Sequence, residues 1–358
     1  MTEDPYRLLQ QRLDELPNGF PPADDGSDLR LLARLFTPDE AALASKLRLT
    51  LETAAELAAR TGADPKVIGP QLKGLASRGL IKAGRATGGL GFGLLPFIVG
   101  FYENQGPVID AELARLVEAY YRRAFGRTLA DGPQFHRVIP VEQSVDVNME
   151  VRPYESAAEI VAGGKSWGVV DCICRKQKAL VGEACGHPLD VCMIFSDRPN
   201  AFDNLPFVRS QTQAESLATL RRAAEAGLVH TVSNSQEGVT YICNCCTCAC
   251  GILRGVAELG MANAVARSAF LCRVDEDLCG ACGLCVERCQ FSALTVDLTT
   301  QVDAFRCVGC GACTLVCPEH ALSLVRRPED EILPPPVSSA AWLAERAAAR
   351  GLDLAKVL

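Results

Sequence analysis

Eight of the chain's 18 cysteines lie between positions 279 and 317, in two copies of one spacing. Cys279, Cys282, Cys285 and Cys289 form the first copy; Cys307, Cys310, Cys313 and Cys317, followed at once by Pro318, form the second. Both read C-x2-C-x2-C-x3-C, and soft thiolates at such gaps hold iron–sulfur clusters or, as the plainer reading, a pair of zinc ions. Two-residue gaps aim three sulfurs at one point, and Gly280, Gly283, Gly309 and Gly311 give the backbone freedom to wrap it.

This stretch resembles the bacterial two-cluster ferredoxin, a carrier of electrons on two 4Fe-4S clusters. The resemblance implies that the fourth cysteine of each copy crosses over. Cys279, Cys282, Cys285 and Cys317 would then hold one cluster, and Cys307, Cys310, Cys313 and Cys289 the other. Gln290 departs from the proline common in that family, which puts the loop shape in question rather than the ligands.

A second set of thiols follows no familiar spacing. Cys172, Cys174, Cys185 and Cys192 come first, with His187 among them, and Cys243, Cys245, Cys246, Cys248 and Cys250 come later. All nine are candidate metal ligands. They are too many for one four-ligand site, so three arrangements are open: a cluster with spare thiols, two metal sites, or a cluster with a regulatory pair. At least one additional iron–sulfur cluster is the expectation, with zinc the alternative. His187 reads equally as a ligand and as a structural histidine. In a strand, alternate side chains share a face, so Cys172 with Cys174, and Cys246 with Cys248 and Cys250, would each point one way. The strand-like runs Trp167 to Ile173 and Val239 to Ile242 lead into these thiols, and the strand ends would converge if the two runs are neighbours in one sheet.

The elements that must position these residues give an α+β chain of five parts. Residues 1–28 read as an N-terminal arm. Residues 29–130 carry helical segments over Leu29–Leu47, Thr50–Arg60 and Asp64–Arg78, a glycine-rich hairpin over Lys82–Phe97, and a closing helix near 108–125. Asp64 and Pro65 stand as cap and first-turn residue. This order resembles a winged helix-turn-helix module, with Lys66, Gln71, Lys73, Arg78 and, in the wing, Arg85 as groups that could meet phosphates. The third helix has no dense basic cluster, which favours protein docking over DNA. Residues 131–268 form a mixed α/β, cysteine-rich middle domain with β-like runs at Phe135–Val141 and Val145–Val151, helices at Glu155–Val161, Gln211–Glu225 and Gly251–Ala266, and a hairpin turning at Asn234–Gly238. Residues 269–327 form the two-cluster ferredoxin fold, where Cys272 in the first strand reads as a buried spare thiol. Residues 328–358 form a Pro-rich linker and a C-terminal helix.

Formal net charge is -7, unevenly spread: residues 29–100 hold ten Lys or Arg and five Asp or Glu, whereas residues 272–325 hold three and seven. An acidic ferredoxin face docks on basic rims of redox partner proteins. The longest apolar run, Leu90–Phe101, is too short and glycine-rich for a transmembrane segment, and thiol-rich metal chemistry suits a reducing, cytoplasmic and anaerobic setting. Nucleophile elbows, phosphate loops and paired carboxylates are absent from the sequence. The functional expectation is therefore an iron–sulfur electron-transfer protein within an anaerobic oxidoreductase system, a carrier rather than a stand-alone catalyst. The alternatives are a redox-sensing winged-helix regulator of DNA, and a catalytic iron–sulfur oxidoreductase centred on the middle domain.

Overall fold

Helix starts in the first third of the chain, that of Ser27–Leu35 excepted, are written by capping residues. The computed structural model describes residues 3–145 and 149–358. Pro5–Asp14 (α1) and Ser27–Leu35 (α2) open the chain. At Pro38–Ala44 (α3), Thr37 and Glu40 form a reciprocal capping box. Phe36 and Thr37, both extended, separate α2 from α3, so the segment expected as one helix over Leu29–Leu47 is two. The short strand Glu52–Thr53 (β1) leads into Ala54–Thr61 (α4), and Asp64 caps Pro65–Ser77 (α5) as its sequence implies. Ile81–Ala86 (β2) and Gly89–Leu94 (β3) form the expected hairpin, to which β1 adds in the order β1-β3-β2. Ala111–Arg123 (α6) follows, capped by Asp110.

Two compact units emerge. The first contains residues 1–132, 177–183 and 343–358; the second contains 133–176 and 184–342. In the first, Leu9, Leu13, Leu16 and Phe20 of the N-terminal segment are buried, so residues 1–28 supply core side chains as well as a start to the chain. The C-terminal residues pack back on the same unit. Buried Arg346 donates to the carbonyls of Pro17 (3.0 Å), Thr128 (2.8 Å) and Asp131 (2.5 Å), and Arg350 reaches the carbonyl of Leu16 at 2.6 Å and the Asp14 carboxylate at 3.0 Å.

The second unit is built on an antiparallel sheet. Its strands are His136–Ile139 (β4), Ser166–Val170 (β5), Cys192–Ser196 (β6), Arg209–Gln211 (β7), Val229–Ser233 (β8) and Tyr241–Cys245 (β9), in the order β4-β8-β9-β6-β5-β7. Helices Ala157–Ala162 (α7) and Gln213–Glu225 (α9) cover one face, where Val161 and Leu220 meet Ile139, Met193, Val232 and Ile242. Ile173–Leu180 (α8) follows β5, and Gly251–Ala257 (α10) follows β9. The helix expected over Gly251–Ala266 ends at Ala257, because the chain leaves helical geometry before Gly260 takes a positive φ of 67°. The expected run Val145–Val151 includes residues outside the described ones.

Phe270–Val274 (β10) pairs antiparallel with Leu322–Arg326 (β13), and Leu294–Val296 (β11) with Thr300–Val302 (β12); Leu284–Arg288 (α11) lies between them in sequence. This is a pseudo-symmetric pair of cysteine loops closed by two small sheets. The last helix is Ser339–Ala349 (α12). Among the described residues no helix is long and apolar enough to cross a membrane.

Candidate metal centres

The two cysteine repeats line two separate cavities. One, of about 320 Å³ including space open to solvent, is lined by Cys279, Cys282, Cys285 and Cys317. The other, of about 420 Å³ on the same measure, is lined by Cys289, Cys307, Cys310 and Cys313, with Cys272 among its walls. Each cavity thus takes three sulfurs from one repeat and the fourth from the other. The exchange follows from local geometry. Cys289 and Cys317 each end a helical turn in an extended conformation, which carries the fourth sulfur away from its own loop.

Backbone amides are aimed at the sulfurs. The N–H groups of Ala293 and Ala321 donate to Cys289 Sγ (3.4 Å) and Cys317 Sγ (3.3 Å), the same offset in both repeats. Thr300 serves the first cavity: its N–H donates to Cys279 Sγ at 3.4 Å, and its hydroxyl lies 3.5 Å from Cys279 Sγ and 3.4 Å from Cys285 Sγ. These hydrogen bonds hold the Cys279 thiol below its ordinary pKa, whereas burial pushes Cys289 and Cys307 up. Thr300 is polar, buried and 15 residues in sequence from Cys285, the nearer of the two cysteines it serves, and only the fold reveals its role.

Glycine is required at two points of the second loop. A Cβ on Gly309 (φ +70°) would lie 2.0 Å from the Phe270 carbonyl oxygen, and one on Gly311 (φ +76°) 2.4 Å from Ser144 Oγ. The space they leave is taken by hydrogen bonds. Ser144 and Ser268 hydroxyls donate to the carbonyls of Gly311 and Gly309, and the Val141 N–H donates to that of Cys310. Soft donors in fours, amides pointing at sulfur, and loop backbones free of Cβ atoms all suit 4Fe-4S clusters.

Gln290, the departure from the ferredoxin pattern, has a structural task. Its amide N–H donates to the Gly227 carbonyl, and its carbonyl oxygen accepts from the Thr247 N–H at 2.7 Å. Proline could do neither. Arg288 adds a bond to the Glu225 carbonyl at 2.9 Å, so the end of the first repeat is fastened to the sheet domain.

In that domain the structure gathers Cys185, His187, Cys246 and Cys248, whose donor atoms all lie within 4.8 Å of one another. Cys185 Sγ is 4.0 Å from Cys246 Sγ, and Cys248 Sγ is 3.7 Å from His187 Nδ1. His187, left open by the sequence, is thus in ligating position. Burial, with the Arg175 charge, holds it below the ordinary imidazole range, in the neutral form that binds metals. Three thiols and an imidazole suit zinc or iron.

The remaining thiols are placed differently from expectation. β5 ends at Val170 and Cys174 lies in α8, so Cys172 and Cys174 do not alternate on a strand; β9 ends at Cys245, so Cys246, Cys248 and Cys250 do not either. Convergence comes instead from strand order. β6 lies between β5 and β9, and the start of β6 meets the ends of both. Cys272, read as a spare thiol, sits 3.6 Å from Cys313 Sγ.

Residues 273–295 and 300–323 match the family of 4Fe-4S binding domains. The chain therefore contains a 4Fe-4S binding region whose cysteine spacing is that of a two-cluster ferredoxin. Comparison with curated proteins and with solved structures gives no significant match.

Proposed function

We propose that this protein relays single electrons through two 4Fe-4S clusters to or from a further metal centre in the cysteine-rich sheet domain, serving partner redox proteins of an anaerobic oxidoreductase system. The observation that carries the reading is the pair of cavities, each lined by three thiols of one repeat and one of the other. Cys279, Cys282, Cys285 and Cys317 are assigned as one ligand set, and Cys289, Cys307, Cys310 and Cys313 as the other. A bound 4Fe-4S cluster supplies reversible one-electron chemistry at low potential.

The protein's own groups support the relay. Around the first cavity, Leu278 (52% exposed), Leu284 (46% exposed) and Cys282 lie at the surface beside Asp275, Glu276, Asp277 and Glu319, an apolar spot in an acidic rim suited to a basic-rimmed partner. Around the second, Cys307 and Cys313 are buried. From there Cys289, Gln290 and Thr247 form a short covalent and hydrogen-bonded path to Cys246 and Cys248. Amides donating to Cys279, Cys289 and Cys317 favour the more negative, reduced state.

The helices and hairpin of residues 29–94 are assigned to a winged-helix-like module that docks a protein partner. Arg78, one of its candidate phosphate contacts, is bound to Glu40 at 2.7 Å, leaving Lys66, Gln71, Lys73 and Arg85.

Reductive titration of protein purified without oxygen, followed by visible absorbance and electron paramagnetic resonance, tests the reading. Two reversible one-electron steps from the ferredoxin region are expected, and their absence with iron fully loaded overturns it. Redox-dependent duplex binding at low salt would instead favour the regulator.

A further inference from the structure

Six cysteines of the sheet domain stand apart from the Cys185, His187, Cys246 and Cys248 group. Their side chains are neighbours in a closed ring: Cys172 lies beside Cys174 and Cys192, Cys192 beside Cys243, Cys243 beside Cys245, Cys245 beside Cys250, and Cys250 beside Cys174. Separate elements bring them there. Cys192 opens β6 opposite Cys243 of β9, as the neighbouring pair Met193 and Ile242 requires, and Cys243 and Cys245 share a face of β9. Cys172 follows β5, Cys174 lies in α8, and Cys250 precedes α10. Cys172, Cys245 and Cys250 are buried, and the other three are half-buried.

Free cysteines pack as small hydrophobes, so their burial alone names no ligand. Their neighbour points to a different use. Arg175 is 4% exposed; its guanidinium donates to the carbonyls of Pro188 (2.9 Å) and Asn244 (2.6 Å), and its Nε has no hydrogen-bond partner among the described residues. Both partners are neutral. A buried cation without a carboxylate needs another counter-anion, and thiolates are the anionic groups at hand. The six sulfurs also exceed what one ion takes. A tetrahedral ion binds four thiolates at about 2.3 Å, and the group whose donors all lie within 4.8 Å of one another is the other one. Six thiols match the needs of a centre with several metal atoms.

We propose that Cys172, Cys174, Cys192, Cys243, Cys245 and Cys250 hold a polynuclear iron–sulfur cluster, separate from the Cys185, His187, Cys246, Cys248 site, with Arg175 as its counter-charge. Binding replaces the thiol protons with iron and releases them to solvent. Iron and sulfide, rather than copper(I) or zinc, suit a chain whose other eight clustered cysteines carry 4Fe-4S spacing. The inference goes beyond the relay reading and does not depend on it.

The test is iron, acid-labile sulfide, zinc and copper per full-length chain, purified and reconstituted without oxygen. The wild type is expected to exceed the roughly eight irons of two 4Fe-4S clusters. Cys243→Ser should lose iron and sulfide together and keep the ferredoxin signals, whereas Cys248→Ser should retain that extra iron and sulfide. Arg175→Gln should move the reduction of the extra centre to more negative potential and leave the ferredoxin steps in place. Native alkylation with iodoacetamide, read by mass spectrometry on the wild type, guards against a variant that fails to fold: the six thiols should be protected with metal and modified after chelation and denaturation. About eight irons after reconstitution, extra zinc or copper without extra sulfide, or iron loss in Cys248→Ser equal to that in Cys243→Ser would overturn the proposal. Loss of the ferredoxin signals with the extra iron retained would count against the relay and support the six-thiol centre.

Discussion

Gln290 shows how one side chain joins two metal-bearing regions. Replacing it with leucine leaves the carbonyl of buried Gly227 and the N–H of half-buried Thr247 without their partner, a loss of about 1–3 kcal/mol at the first and less at the second. Gln290→Leu is expected to lower the denaturation midpoint and slow electron passage into the sheet domain while iron content stays constant, as stopped-flow reduction would show. Thr300→Val is a quieter change. It removes the hydroxyl near Cys279 and Cys285 but keeps the N–H bond, and the potential of the first cluster should fall by tens of millivolts, with the second cluster unmoved in the same titration. Cys317→Ser distinguishes crossed from uncrossed ligation: the surviving cluster should be the one served by Cys307, Cys310, Cys313 and Cys289.

Among the elements, the second cysteine loop and the sheet it lies on are most sensitive. Gly309→Ala forces a Cβ against the Phe270 carbonyl at a positive φ, so β10 or the loop must shift. The expected outcome is loss of about four irons per chain with the first cluster's spectrum intact. The sheet also carries a pH dependence. His136 of β4 lies within hydrogen-bond reach of Thr231 (3.2 Å) and Tyr241 (3.0 Å), and burial lowers its pKa to about 4. An unfolded histidine titrates near 6.5. Below that value the unfolded chain binds a proton that the folded site refuses, so this contribution to stability is full above about pH 6.5 and is lost as pH falls toward 4. Urea unfolding of the wild type should show that slope, and His136→Gln should reduce it, leaving the like contribution of His230, whose pKa burial also lowers to about 4.

For the whole molecule, the ends of the chain matter to the first unit. Arg346 bonds three carbonyls from two distant segments, and Arg346→Met should cost on the order of 3 kcal/mol or more by leaving them unpaired. Thermal unfolding followed at 222 nm would show the loss, while the ferredoxin spectrum, which belongs to the second unit, should be retained at low temperature.

The sequence by itself determined the ferredoxin region, because cluster ligation demands thiols at fixed short gaps and the chain shows them as text. It also determined most helices, since caps such as Asp64 act within one turn, and the hairpins, whose turns are local. Only the tertiary structure decided how the nine other cysteines divide. Their strands and helices were largely legible, but strand order places β6 between β5 and β9, and no spacing in the sequence encodes that neighbour. The same holds for His187, Thr300 and Gln290. Their roles rest on partners 15 to 63 residues away, brought together by sheet pairing and packing, to which no local pattern is sensitive.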